Sequence, residues 1–238
     1  MVEHDFISPA TSRHCRSMKL LALDTACAAC SVAVWDETAP VAHRFEAMQR
    51  GHAEALMPMA EAVVAESGLG YAALDAIAVT RGPGTFTGLR IGLATARGLA
   101  LAAGLPLIGL TTLEVIAAAA RTHRPNRFIS VMIEARRGEV YSQTFAPDGE
   151  AVDTAAALAP EAALRRVAAV DAVLAGGAAP SLAALTTGVD VAPGDGLPDA
   201  VVLAALAGER ALPQAGEIVS PLYLRPPDAK LPGAVGGR

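Results

Sequence analysis

One pattern occurs twice in this chain. The stretches "LLALDTACAACSVAVW" (20–35) and "FISVMIEARRGEVYSQTF" (128–145) each read as an apolar strand, a short turn entered by an acid, and a second strand. The repeat sets Glu134 opposite Asp24. Around the first copy, periodicity predicts strands at about 18–24, 29–36 and 40–47, a helix at 52–67 and a strand at 74–80. A glycine turn, a helix at 87–103, a strand at 105–110 and a helix at 111–121 follow. Around the second copy it predicts a helix near 160–168, a strand in "AVDAVLAGG" and a helix near 179–187. A short strand near 189–192 and a helix near 198–207 complete it.

Two copies of a βββαβα unit describe an α/β protein of the actin-like ATPase architecture, with two ribonuclease H-like lobes. The expected division is a disordered extension at 1–17, a first lobe at 18–110, a second lobe at 111–225 and a disordered tail at 226–238. Hydrophobic residues make up 53% and charged residues 18% of the chain, a composition that can fill two such cores. The longest apolar run, "GLATARGLALAAGLPLIGL", is interrupted by Arg97, and residues 1–17 lack the apolar centre of a signal peptide. A soluble, cytoplasmic protein is the expectation. The net charge of −5 argues against a broad basic face for nucleic acid, so a partner is expected to supply most phosphate contacts.

The acids at equivalent turns admit two readings. In an actin-like ATPase, two such hairpins grip phosphates and an acid helps to hold Mg2+. That reading makes Asp24 and Glu134, with Gly176 and Gly177 of "AGGAAP" as an adenosine-side turn, a vestigial nucleotide site. It wants glycine in both turns so that backbone amides can approach an anion; "DTACAAC" has none and "EARRGEV" has one. The simpler reading comes first: Asp24 ends a strand and caps a turn.

The stretch "RGPGTFTGLRIG" (81–92) resembles a phosphate loop only loosely. No Gly-Lys-Ser/Thr ends it, its glycine spacing is one residue too long for a dinucleotide fingerprint, and Pro83 removes an N–H. Thr87 is the expected helix cap. Beyond it, Gly88, Gly92, Ala96, Ala100 and Gly104 recur every fourth residue, a stripe that lets another backbone come close. The approaching backbone is either the chain's own sheet or another chain. Leu56, Met57, Met59 and Met48 add a flexible apolar surface nearby.

Cys27 and Cys30 form C-x-x-C, but between two strands rather than at a helix start, and no second pair completes a zinc site. His52 opens a helix without a second His three or four residues on, and no Ser-His-Asp set can be assembled. No catalytic residue and no metal ligand is assigned.

The segments "MKLLALDTACAACSVAVW", "HAEALMPM", "RGPGTFTGLRIGLATARGLAL", "IEARRGEVY" and "PLYLR" resemble the TsaB family, from Met18 to about Arg225. The resemblance implies a two-lobed actin-like fold and a non-catalytic paralogue of the catalytic subunit TsaD. It implies a heterodimer with TsaD, joined by the ATPase TsaE. That complex moves a threonylcarbamoyl group from its adenylate to N6 of the adenosine beside the anticodon in tRNAs reading ANN codons, so tRNA is reached indirectly. Homodimers are implied in the partner's absence. No cofactor is firmly implied; ATP or ADP with Mg2+ at the subunit interface is the one candidate. Family dimer contacts map onto about 52–67 and 88–103, which nominates His52, Leu56, Met59, Ala60, Val63, Gly88, Leu89, Gly92, Leu93 and Ala96 as the interface. Glu134 stands where the family usually has Asp, and Cys27 also departs from its pattern. The rival reading is an ATP-dependent small-molecule kinase or ATPase of the same fold.

Overall fold

Five of the six residues of β1 (Lys19–Asp24) are buried, because helices cover both faces of the strand. The computed structural model describes residues 18–194, 196–214 and 217–225. The expected disordered segments 1–17 and 226–238 lie outside the described residues. After β1 come β2 (Ala29–Asp36), β3 (Ala39–Ala47), α1 (His52–Ser67), β4 (Ala76–Thr80), α2 (Phe86–Ala103), β5 (Leu107–Leu110) and α3 (Thr112–His123). The second repeat supplies β6 (Ile129–Glu134), β7 (Val140–Phe145), β8 (Ala156–Leu158), α4 (Pro160–Val170), β9 (Val173–Ala175), α5 (Ala179–Ala183) and α6 (Ala200–Gly208).

The repeat read from the sequence is a repeat of topology. The first sheet runs β3-β2-β1-β4-β5, antiparallel from β1 to β3 and parallel from β1 through β4 to β5. The second runs β8-β7-β6-β9 with the same senses. Its expected fifth strand near 189–192 is reduced to one parallel bridge, Leu174 to Val191. Pro193, Gly194 and Gly196 follow directly and cannot prolong a ladder. The helix expected at 179–187 likewise ends early, at Ala183.

Alternation along the central strands sorts the first core. Leu21, Leu23, Ile77 and Val79 face α1 and α2 through Leu56, Val63, Leu93 and Ala96. The intervening Ala22, Ala33, Ala76 and Ala78 share a cluster with Ala200, Leu203, Ala204 and Ala207 of α6. Small residues on both sides let that helix lie close. Helix α6 thus covers the first sheet although it follows the second in sequence, while α3 sits on β6. A single cut at residue 110 separates the two sheets but not the helices that cover them. A capping box, Thr111 with Glu114, fixes the start of α3. No helix among the described residues is long and apolar enough to cross a membrane.

The cap of α2 is Thr85, not Thr87: its hydroxyl accepts the Gly88 N–H at 3.1 Å. The glycines that follow answer to the chain's own β1–β2 turn. A Cβ on Gly84 would stand 2.3 Å from the Ala26 carbonyl oxygen, and one on Gly88 would stand 2.0 Å from that of Thr25. The Thr25 hydroxyl donates to the Gly88 carbonyl at 2.8 Å, and Thr85 N–H donates to Ala26 at 2.8 Å. Gly98, in the same helix, has nothing within 4 Å of a Cβ position. Gly88→Ala is therefore expected to cost about 1–3 kcal/mol by overpacking, and Gly98→Ala to add about 0.5–1 kcal/mol. Urea unfolding of both variants checks this; equal midpoints would mean that the turn yields to the helix.

Candidate functional site

Asp24 ends β1 with no exposed surface. The Thr80 hydroxyl and the Ala26 N–H (3.3 Å) both donate to its Oδ1, while Oδ2 is buried with no hydrogen-bond partner among the described residues. Burial pushes the carboxyl up to about 7, against the lowering effect of the Thr80 and Ala26 hydrogen bonds; the nearby Asp199 carboxylate adds a smaller upward push. Asp199 caps α6 through the Val201 N–H at 2.7 Å and lies 3.1 Å from Nε2 of His43. Asp24 is a sealed group at the joint of β1, β4 and α6.

The turn after it is apolar. Ala26 and Cys27 share one buried cluster with Leu89 of α2, Leu113 and Ile116 of α3, and Ile129, Val131, Ile133 and Ala175 of the second sheet. An actin-like phosphate grip would offer amides to an anion at this point; here the turn is pressed into the second lobe. Burial also pushes the Cys27 and Cys30 thiols well above the usual range, the opposite of a redox pair. Both are free.

The other members of the expected nucleotide site differ from Asp24 in their surroundings. Glu134 is exposed at the far end of β6. Gly176 is buried with φ +97°, and a Cβ there would meet the Met132 carbonyl at 2.4 Å, so its role is close packing against β6. Gly177 is exposed. Gly176 does border a groove of about 290 Å3 between α3 and α6, lined with Ala119, His123, Leu197 and Asp199 among others. The fully buried Asp24 does not open onto it.

The nominated interface needs correction. Leu56, Met59, Ala60, Val63, Leu89, Leu93 and Ala96 are at most 7% exposed and belong to the chain's own core, and Gly88 and Gly92 are buried with them. A Cβ on Gly92 would meet Oγ1 of Thr25 at 2.6 Å. A bulky residue there would strike the monomer's own turn. Half-buried His52 brings its Nε2 within 3.1 Å of the Cys27 carbonyl and so ties the start of α1 to the same turn.

The outward sides of these helices are what remains for a partner. On α2 they present Ala94, Gly98 and Ala102 at helical spacing, with Leu101 85% exposed and Phe86 51% exposed. Their only charges are Arg90 and Arg97. On α1 the outward charges are Glu54, Glu61 and Glu66. Small-residue periodicity pointed at α2 but at its inner stripe. Arg90 and Arg97, seven residues apart, were the signal marking which side faces out.

A family model described as TsaD: tRNA N6-adenosine threonylcarbamoyltransferase matches residues 46–185. The tRNA threonylcarbamoyladenosine biosynthesis protein TsaB of Escherichia coli (strain K12) is 41% identical over 148 residues, 60% of this chain and 64% of that protein. Its Haemophilus influenzae namesake is 42% identical over 126 residues, 53% of each chain. The matches thus span between half and two thirds of these relatives' length. Among solved structures, one of a Pseudomonas aeruginosa protein described as similar to peptidase YEAZ superposes with a TM-score of 0.75 at 33% identity. It covers 87% of this chain and 100% of that one.

Asp24 makes a pH prediction. Its folded pKa lies above the unfolded value of about 4, so the folded state holds the proton more tightly. Its contribution to stability is fully present below about pH 4, declines as pH rises to about 7, and is flat above. Asp24→Asn should remove that decline, so that its melting temperature falls less than that of the unaltered protein between pH 5 and pH 8. Parallel pH profiles would refute it.

Proposed function

The chain belongs to the TsaB branch of the TsaD family, and we propose that it is the non-catalytic dimerising subunit of a tRNA-modifying assembly. That assembly adds a threonylcarbamoyl group to N6 of the adenosine beside the anticodon in tRNAs reading ANN codons. In this reading the lobe spanning 18–110 docks on the catalytic subunit TsaD and holds it in its active arrangement, and the ATPase TsaE joins the pair. Contact with tRNA runs through the assembly.

The observation that carries the reading is the outward side of α2. It is apolar and small-residued, has two charges of one sign, and carries Leu101 with 85% of its surface in solvent. A glycine inside a helix costs about 1 kcal/mol against alanine. Gly98 meets nothing among the described residues that would explain it. A partner helix seated on Ala94, Gly98 and Ala102 explains both features, because small residues let helix axes approach. Arg90 and Arg97 then meet carboxylates on the partner. This chain's own α1 exposes Glu54 and Glu61, with Glu66 paired to Arg44, so a second copy fits the same face when the catalytic subunit is absent.

The rival reading, a nucleotide-dependent enzyme, is weaker on physical grounds. Ala26 and Cys27 of the turn are buried in an apolar cluster, and Asp24 has no surface in solvent from which to reach Mg2+.

The test is Leu101→Glu and, separately, Gly98→Leu, titrated with the catalytic subunit from the same organism and followed by light scattering. Both are expected to weaken the one-to-one complex by about tenfold or more, with melting temperatures not lowered. Threonylcarbamoyl transfer to tRNA in the reconstituted system should fall in step. An unchanged complex in both variants would remove the α2 face as the interface.

A further inference from the structure

Residues 217–225 carry no regular secondary structure, yet the first lobe is shaped to receive them. A Cβ on Gly109 of β5 would stand 2.3 Å from Cγ1 of Val219, and one on Gly82 would stand 2.9 Å from the Leu222 carbonyl oxygen. The Leu222 N–H donates to the Arg81 carbonyl at 2.7 Å. Arg97 donates to the Val219 carbonyl at 2.5 Å, and Arg90 lies 3.5 Å from the Tyr223 hydroxyl. The segment therefore runs antiparallel to α2. From Arg97 back to Phe86 the helix covers about 16 Å, and from Val219 to Tyr223 an extended chain covers about 13 Å. Beyond α2, Arg225 binds the Arg136 carbonyl at 2.7 Å and the Glu139 carboxylate at 3.1 Å, which anchors the strap to the second lobe.

Such a strap could serve only to cover the edge strand β5. Its outward side argues for more. Ile218 is 77% exposed and Tyr223 47%. With Phe86 and Leu101 they account for four of the seven large hydrophobics exposed among the described residues, and all four lie on α2 or on the strap beside it. Phe86 and Tyr223 have ring centroids 5.7 Å apart, and the Arg90 guanidinium sits 3.7 Å over the Phe86 ring. The cluster is held rigid while remaining in solvent, the condition in which aromatic and arginine side chains make strong contacts.

We propose that the 217–225 strap is the second half of the docking surface. In this arrangement the catalytic partner seats on a ledge made jointly of α2 and the strap. This rests on the α2 reading above and adds a segment far from it in sequence. The occupant is a paralogous subunit. The matching family model spans 46–185, which includes both helices of the docking lobe, so the partner brings a counterpart of α1. In this chain α1 exposes Glu54 and Glu61, while Glu66 pairs with Arg44; a counterpart of α1 with carboxylates at the first two places would complement Arg90 and Arg97.

The experiment compares Ile218→Asp and Tyr223→Ala with the control Leu185→Asp, a 67% exposed side chain of the second lobe, in the full chain. Affinity for the catalytic subunit is measured by calorimetry and folding by thermal melts. The expected result is a loss of about tenfold for Ile218→Asp and about fivefold for Tyr223→Ala, with the control within about twofold. If both strap variants match the control while Leu101→Glu still disrupts the complex, the strap inference is overturned and the α2 reading stands. If Leu101→Glu is also silent, both are overturned. Weakened self-association with an intact heterocomplex would assign the strap to a second copy instead and overturn the proposal.

Discussion

The approach of two backbones, the β1–β2 turn and the first turn of α2, is the contact on which the rest of the molecule depends. Only glycine at 84 and 88 permits it, since any side chain would stand well inside the contact distance of a carbonyl oxygen. With the turn fixed on that side, Ala26 and Cys27 project into the apolar cluster formed by α3 and the second sheet. One turn therefore joins the helix, the first sheet and the second lobe. The same close approach sets which residues of α2 face inward, and hence which are left outside for a partner.

That arrangement also explains what becomes of an actin-like active centre here. A phosphate grip needs a turn with free amides and a reachable acid. Burying the turn spends its amides on packing, and Asp24 is left where ionisation is disfavoured. The acid is kept useful by bonding rather than by charge: it accepts from Thr80 and Ala26 and so ties β1 to β4 and to the turn. Interlobe rigidity replaces a ligand cleft at this point.

The sequence made the duplication legible because both hairpins keep period-two alternation and an acid at the turn, and those features survive without neighbours. The small-residue stripe alone does not tell which face of α2 is inner, although the charges Arg90 and Arg97 mark the outer one. Gly88, Gly92 and Ala96 share a stripe with clear periodicity, but periodicity is silent about whether the approaching backbone is Thr25 of the same chain or a partner's helix. The fifth strand of the second sheet was overcalled because Val189 and Val191 alternate well, while Pro193 and two glycines decide the outcome. The placement of α6 on the first sheet was illegible for a different reason. Its helix is apolar all round and would suit either core; only the small residues Ala22, Ala33, Ala76 and Ala78 select it.

The two kinds of glycine in α2 can now be weighed against each other. Gly88 and Gly92 are used up inside the monomer, where each admits the turn. Gly98 is not, and a residue that destabilises its own helix without an internal contact points to a contact made elsewhere. The strap adds the same kind of asymmetry. Val219 and Leu222 are received by glycines in the lobe, whereas Ile218 and Tyr223 are left exposed, Tyr223 against Phe86. Inward positions along both segments are satisfied, and outward positions along both are apolar and unsatisfied. Two segments separated by more than a hundred residues agree in this, and a shared partner surface accounts for the agreement where independent surface accidents would not.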